Sequence, residues 1–277
     1  MPFVLENENL FNFNQSFLDT LSSLHESCGY ADYIDRYLQF PPSGLQPPVY
    51  FNFSSDASCD VFDLIDSAAF DPNPCFDIYE IPAMCPLLWD VLSFPTQLVY
   101  TPDGATTYFN RTDVKKAMHA PLDANWMECT NQAVFIGNGT GPEGEGDNSA
   151  DPTQKVLPQV IESTNRVLVA NGDYDMIIIT NGTLMAIQNM TWNGMLGFQE
   201  QPSTPINIDI PDLLYADVFA ENDGVGLDGP QGLMGIQHYE RGLMWAETYQ
   251  SGHMQPEYQP RVAYRHIQWL LGRIDSL

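Results

Sequence analysis

The chain has 277 residues, of which 36 are acidic and 10 basic, for a formal charge of −26 on a sequence that is 44% hydrophobic but only 17% charged. Phosphate backbones and anionic bilayers are bound by clustered Lys and Arg, yet this chain has three lysines and a single basic side chain, Arg36, before residue 111. Nucleic acid and membrane are thereby excluded as partners, and no stretch approaches the roughly 18 uninterrupted apolar residues of a spanning helix.

The opening MPFVLENENL lacks the basic-then-apolar order of a signal peptide. Residues 15–38 place Phe17, Leu18, Leu21, Leu24, Tyr30, Tyr33, Ile34 and Tyr37 at near-helical intervals. They predict one or two helices, ended by Phe40-Pro41-Pro42. Residues 41–60 read as a loop, and Asp60 to Phe70 as a short helix followed by the loop DPNPCFD. Cys28, Cys59, Cys75 and Cys85 fall in this first third. In an oxidising compartment they can form two disulfides by three possible connectivities, leaving Cys129 unpaired. No C-x-x-C pair suggests a metal site. Residues 1–90 are therefore expected to form a helical, cysteine-stapled region and 91–277 the remainder.

Beyond Thr101, TTYFN predicts a short strand or turn, and RTDVKKAMHA a helix with Asp113 near its start. Residues 137–152, GNGTGPEGEGDNSADP, predict a solvated loop without the spacing of a calcium-binding hand. The apolar run from Val167 to Ala170, bounded by Gly172, predicts a central parallel strand buried on both faces. Functional groups gather beyond the carboxyl ends of such strands, where Asp173 and Asp175 lie. TNGTLMAIQNMTW then predicts a crossover helix, and Leu243 to Thr248 a second apolar strand leading to a loop with His253. PRVAYRHIQWLLGRI predicts a closing amphipathic helix with Val262, His266, Trp269 and Leu270 on one face. The other histidines, His25, His119, His238 and His266, fall in helical or pre-strand contexts that predict structural roles.

Asn-x-Ser/Thr acceptors stand at Asn14, Asn52, Asn110, Asn138, Asn181 and Asn189. Six exceeds the roughly two that random order of this composition supplies, which points to a glycoprotein of the secretory route. The high negative charge suits acidic surroundings, where protonation relieves self-repulsion.

An Asp past one strand and a His past a later one match the last two members of a hydrolase triad in the order Ser, Asp, His. The sequence around them resembles the serine carboxypeptidases, a family of secreted and vacuolar α/β-hydrolases, most closely its fungal members. The resemblance rests on NGDYD at 171–175, SGHMQP at 251–256 with Pro260 and a terminal helix, ERGLMWAET before them, NPCFDIYEI at 73–81, YFNRTDVKKAMHAP at 108–121 and Trp126 to Cys129. It implies that Asp175 orients His253 as general base, with Asp173 the runner-up at a position suited to local capping, and that Met254 lines the pocket for the C-terminal side chain of a peptide. No metal or organic cofactor is implied.

The resemblance also implies a nucleophile in a Gly-x-Ser-x-Gly elbow, and no such pentapeptide occurs in these 277 residues; nor does the family's Asn-Gly-Gly-Pro-Gly-Cys segment, whose cysteine usually pairs with the Trp-x-x-Cys cysteine, here Cys129. The fold expected is therefore α/β, the C-terminal half of an α/β-hydrolase with a helical, disulfide-stapled insertion. The function expected is release of C-terminal amino acids from peptides, in the secretory pathway or vacuole, with the serine carried by an N-terminal half. Two alternatives are a peptide-binding pseudoenzyme and a carboxypeptidase-like acyltransferase. Ser251 is a poor substitute nucleophile, because it lies two residues from His253 on one loop.

Overall fold

The structure, a computed structural model, describes residues 2–47, 59–85, 103–127, 149–209 and 231–277. The expected boundary near residue 90, Cys129, and the sequons at Asn52 and Asn138 lie outside the described residues. The chain forms two compact units: one comprises residues 1–72, 78–82 and 151–277, the other 73–77 and 83–150.

The first unit begins with helices α1 (Pro2–Glu6), α2 (Glu8–Phe11), α3 (Gln15–Ser27) and α4 (Tyr30–Tyr37), and α5 (Phe62–Ala69) follows. Asn14 starts α3 by accepting the Phe17 N–H at 3.0 Å, satisfying one of the donors a helix leaves unpaired at its first turn. Gly29, in the left-handed region at φ 76°, turns the chain between α3 and α4 where a side chain would be strained. Of the three connectivities open to four cysteines, the structure joins Cys28 to Cys59 and Cys75 to Cys85.

In the second unit, the residues expected as strand or turn form a 3-10 helix, Tyr108–Asn110, leading into α6 (Thr112–Ala117). The Asn110 amide holds Trp126 by both backbone groups, donating to its carbonyl and accepting its N–H, each at 2.8 Å. The ring of Phe109 packs on that indole at 5.0 Å. Lys115, buried in α6, donates its ammonium to the Ala124 carbonyl.

The remaining elements belong to the first unit: α7 (Val156–Thr164), β1 (Val167–Gly172), α8 (Thr180–Gln188), the two-residue hairpin β2 (Thr191–Trp192) and β3 (Met195–Leu196), β4 (Thr204–Ile208), β5 (Gly232–Glu240), β6 (Leu243–Thr248), α9 (Gln255–Tyr258) and α10 (Pro260–Leu270). The sheet runs β1-β6-β5-β4, with β1 and β6 parallel and the other neighbours antiparallel. The apolar runs of β1 and β6 thus pair side by side, but β1 stands at the end of the described sheet rather than at its centre. Its first four residues are only half-buried.

Alternation along β6 divides the core. Leu243 and Trp245 enter one apolar cluster with Ile161, Leu184, Trp192 and Phe198, on the side of α7 and α8. Met244 and Ala246 enter the other with Ile206, Val262 and Trp269, on the side of α10. Both faces of β6 are therefore dry from Leu243 to Ala246, as that apolar run requires. In α10, Val262, His266 and Trp269 are buried as expected, whereas Leu270 is 40% exposed. Positions 262, 266 and 269 repeat at helical spacing, and Leu270 falls at the edge of that stripe and meets solvent.

Candidate active site

Two loops leave the carboxyl ends of the parallel pair, where Gly172 of β1 stands opposite Thr248 of β6. The first carries Asp173 and Asp175, the second Ser251, Gly252 and His253. They are laced by backbone hydrogen bonds, from Asp173 N to Thr248 O at 3.0 Å and from Tyr174 N to Ser251 O at 2.9 Å. Gly172 permits this approach: a Cβ there would run into the carbonyl oxygens of Ser251 and Gly252. Residues 78 apart in sequence then meet, with His253 Nδ1 and Asp175 Oδ2 at 2.8 Å.

Asp175 is nearly fully buried, and its second oxygen accepts the backbone N–H groups of Ile177 and Ile178 at 2.8 and 3.1 Å. A carboxyl oxygen held by two amides has its rotamer fixed, which leaves the other oxygen aimed at the imidazole. A neutral imidazole bonded to that acceptor carries its hydrogen on Nδ1 and turns its Nε2 lone pair away from Asp175. The imidazole is 40% exposed, so the pair is anchored on its acid side and open on its basic side.

Asp173, the runner-up, serves the scaffold. Its Oδ1 accepts the Ser251 N–H at 3.1 Å. Burial pushes its carboxyl up to about 6, against the pull of backbone N–H groups from Ser251, Gln250 and its own residue. It shares a recess of about 260 Å³ with Glu6, Glu247 and Tyr249. Burial also raises Glu247 above the ordinary carboxylate range, and the negative field of Asp173 and Glu6 adds to that. Ser251 is buried, its hydroxyl donating to the Gly252 carbonyl at 3.3 Å, and it makes no described hydrogen bond to the imidazole.

Met254 is half-buried at the start of α9, where its carbonyl accepts the N–H of Glu257 at 2.8 Å. Among the sequons, Asn14 and Asn189 are exposed, whereas Asn181 is half-buried in the first turn of α8 and Asn110 is engaged on Trp126. His238 bridges to Glu240 at 3.1 Å under the ring of Phe198. His266 lies buried in α10, where desolvation lowers it to about 4. His25 sits in α3 and His119 just past α6.

Sequence reasoning missed a third segment of this site. Residues 78–82 run across both loops, with Tyr79 O accepting His253 N at 2.8 Å, Ile78 O accepting Met176 N at 3.0 Å and Ile81 N donating to Tyr174 O at 3.3 Å. Such bonds involve main-chain atoms that every residue owns, so no side-chain pattern signals them. Among the described residues no group of three or more His, Cys, Asp or Glu is arranged to hold a metal ion, and no helix is long and apolar enough to cross a membrane.

Comparison with known proteins identifies the family. The serine carboxypeptidase family model matches residues 12–273. The chain is 65% identical over all 277 residues to serine-type carboxypeptidase F of Aspergillus niger, of which it covers 52%. It is 40% identical over its full length to a probable serine carboxypeptidase of Arthroderma benhamiae, covering 49% of that protein. A solved prohormone-processing carboxypeptidase from Saccharomyces cerevisiae, 18% identical, superposes with a TM-score of 0.57 over 98% of this chain and 50% of its own, which establishes the α/β-hydrolase type of fold. The chain spans about half the length of the curated relatives it matches. On the family match and these identities, the chain belongs to the serine carboxypeptidase family.

Proposed function

We propose that this chain supplies the acid–base half of a serine-type carboxypeptidase that releases C-terminal amino acids from peptides in the secretory pathway or vacuole, its nucleophilic serine lying outside these 277 residues. The observation that carries the reading is the 2.8 Å pair of His253 Nδ1 and Asp175 Oδ2 at the ends of adjacent parallel strands. In it, His253 Nε2 takes the hydroxyl proton as the serine oxygen bonds to the scissile carbonyl carbon. The imidazolium, stabilised by Asp175, passes that proton to the departing amine. Nε2 then takes a proton from water, whose oxygen attacks the acyl carbon. Return of that proton to the serine oxygen frees the shortened peptide and restores the enzyme.

Met254, next in sequence to His253, lines the pocket for the C-terminal side chain of the substrate in this reading. The two disulfides support an oxidising compartment. The test is His253→Ala in the active enzyme containing this chain, assayed for hydrolysis of an amino-terminally blocked dipeptide and for binding of the same peptide. Hydrolysis should fall by about 10³-fold or more with binding kept, since loss of a triad member typically removes that much. Unchanged hydrolysis would remove His253 from the chemistry and overturn the reading.

A further inference from the structure

The Asp175 bond fixes one point of the imidazole of His253. A ring held at a single nitrogen still tilts about that bond, and with 40% of its side chain exposed the imidazole has room to do so. Proton transfer requires a second constraint, because Nε2 must stay within hydrogen-bond reach of the hydroxyl it serves.

That constraint is present in residues 78–82. The Tyr79 ring stands against the imidazole, with centroids 5.3 Å apart and planes inclined by 60°. Its own carbonyl accepts the backbone N–H of His253 at 2.8 Å, so the residue that touches the ring also fixes the Cα from which the ring hangs. Gly252 completes the fit: a Cβ there would run into the Tyr79 carbonyl and the Glu80 carboxylate, so only glycine lets the loop close on this segment. The hydrogen bonds from Met176 to Ile78 and from Ile81 to Tyr174 tie the segment to the Asp175 loop as well, and Ile81 anchors it with 1% of its surface exposed.

We propose that Tyr79 is a positioning residue for His253, its ring serving as the wall that holds the imidazole plane in register with Asp175. The inference rests on the reading of His253 as the general base. Its signature is a loss in turnover without a loss in substrate binding, because a tilted imidazole misplaces the proton acceptor and leaves the binding surface intact.

The experiment compares Tyr79→Phe, Tyr79→Leu and Tyr79→Ala in the active enzyme, with kcat and KM for the blocked dipeptide measured well below each variant's unfolding midpoint. His253→Ala is measured alongside. Tyr79→Phe keeps the flat ring and should retain kcat within about threefold. Tyr79→Leu keeps apolar bulk and the backbone bond but not the flat face, and should lower kcat about tenfold or more with KM within about twofold, on the scale expected for a misplaced catalytic group. Tyr79→Ala should do at least as much; if it fails to fold, the leucine variant decides. Wild-type kcat in Tyr79→Leu, a loss confined to KM, or a Tyr79→Phe enzyme as impaired as Tyr79→Leu would each overturn the positioning role. If His253→Ala abolishes hydrolysis while Tyr79→Leu is unimpaired, only the role of Tyr79 falls. If His253→Ala hydrolyses normally, the acid–base assignment falls and the positioning role with it.

Discussion

The sheet and the amino-terminal helices bury themselves by different means, although both belong to one compact unit. In β6 the first four residues are all buried, packed between α7 and α8 on one face and α10 on the other. In residues 2–47 only Val4, Phe11 and Leu21 are buried, and α4 has no buried residue at all. Those helices are held by local ring pairs, such as Phe13 with Phe17 at 4.8 Å and Tyr33 with Tyr37 at 4.7 Å, by the Cys28–Cys59 bond, and by a few ties to α8 and the core from Leu38, Phe40 and Gln46. A region held by extensive burial opens only with the whole molecule, whereas one with few buried side chains opens at lower cost. The Asp175–His253 pair is built on the first kind.

The sharpest test of that contrast is Trp245→Ala in β6, which removes a fully buried indole from between the helices and the sheet. It should cost about 3–5 kcal/mol in a denaturant titration. Tyr37→Ala in α4 should cost less than about 1 kcal/mol, since the residue is only half-buried. Equal costs for the two would break the comparison.

Next in size is the response to acid, where the two groups most strongly shifted by burial pull in opposite directions. His266, lowered to about 4 in the folded state, binds fewer protons than in the unfolded chain between about pH 6.5 and 4, so its contribution to stability is lost as pH falls through that window. Asp173, raised to about 6, binds more protons when folded between about pH 6 and 4, so its contribution grows as pH falls. Each is of the order of 3 kcal/mol across its window. Relative to the parent chain, His266→Phe should gain stability on going from pH 7 to 4 and Asp173→Asn should lose it, read as midpoints of denaturant unfolding at the two pH values. A parallel pH dependence in parent and variants would show that neither site titrates as its burial requires.

The smallest effect belongs to the local region. Asn14→Ala removes the side-chain cap of α3 and should lower stability by about 1 kcal/mol, without altering the Asp175–His253 pair seen by NMR. A change in that pair would mean that the helices and the site open together.

Much of this fold was legible where periodicity and burial coincide. The apolar runs at 167–170 and 243–248 became the parallel pair β1 and β6, and the intervals of 15–38 became α3 and α4. What local pattern missed was set by distant contacts. β4 and β5 were not anticipated, because glycines at 232 and 235 interrupt the β5 pattern, and only pairing with β6 makes Gly235 a position where a Cβ would strike the Glu247 carbonyl. The place of β1 at the end of the described sheet depends on which strands pair, which its own residues do not encode. In the site, the two loops could be read from strand ends and family wording, and Asp175 rather than Asp173 meets the imidazole. The place of the Tyr79 segment could not: NPCFDIYEI carries part of the family resemblance, but its reach to the two loops runs through main-chain atoms and a ring, which no spacing in that stretch announces.

The parallel pairing of β1 with β6 also governs when the acid–base pair exists during folding. The loops that carry Asp175 and His253 follow strands whose paired first residues, Val167 and Leu243, are separated in sequence by α8, β4 and β5. Closing so long a loop is entropically costly and is rewarded only once the strands zip together, which makes such pairings slow steps. A nascent chain that has formed its helices but not this strand pair therefore holds an aspartate and a histidine that have not met. Asp175 and His253 are brought together by sheet closure, so their contact is absent until the two strands that hold it are joined.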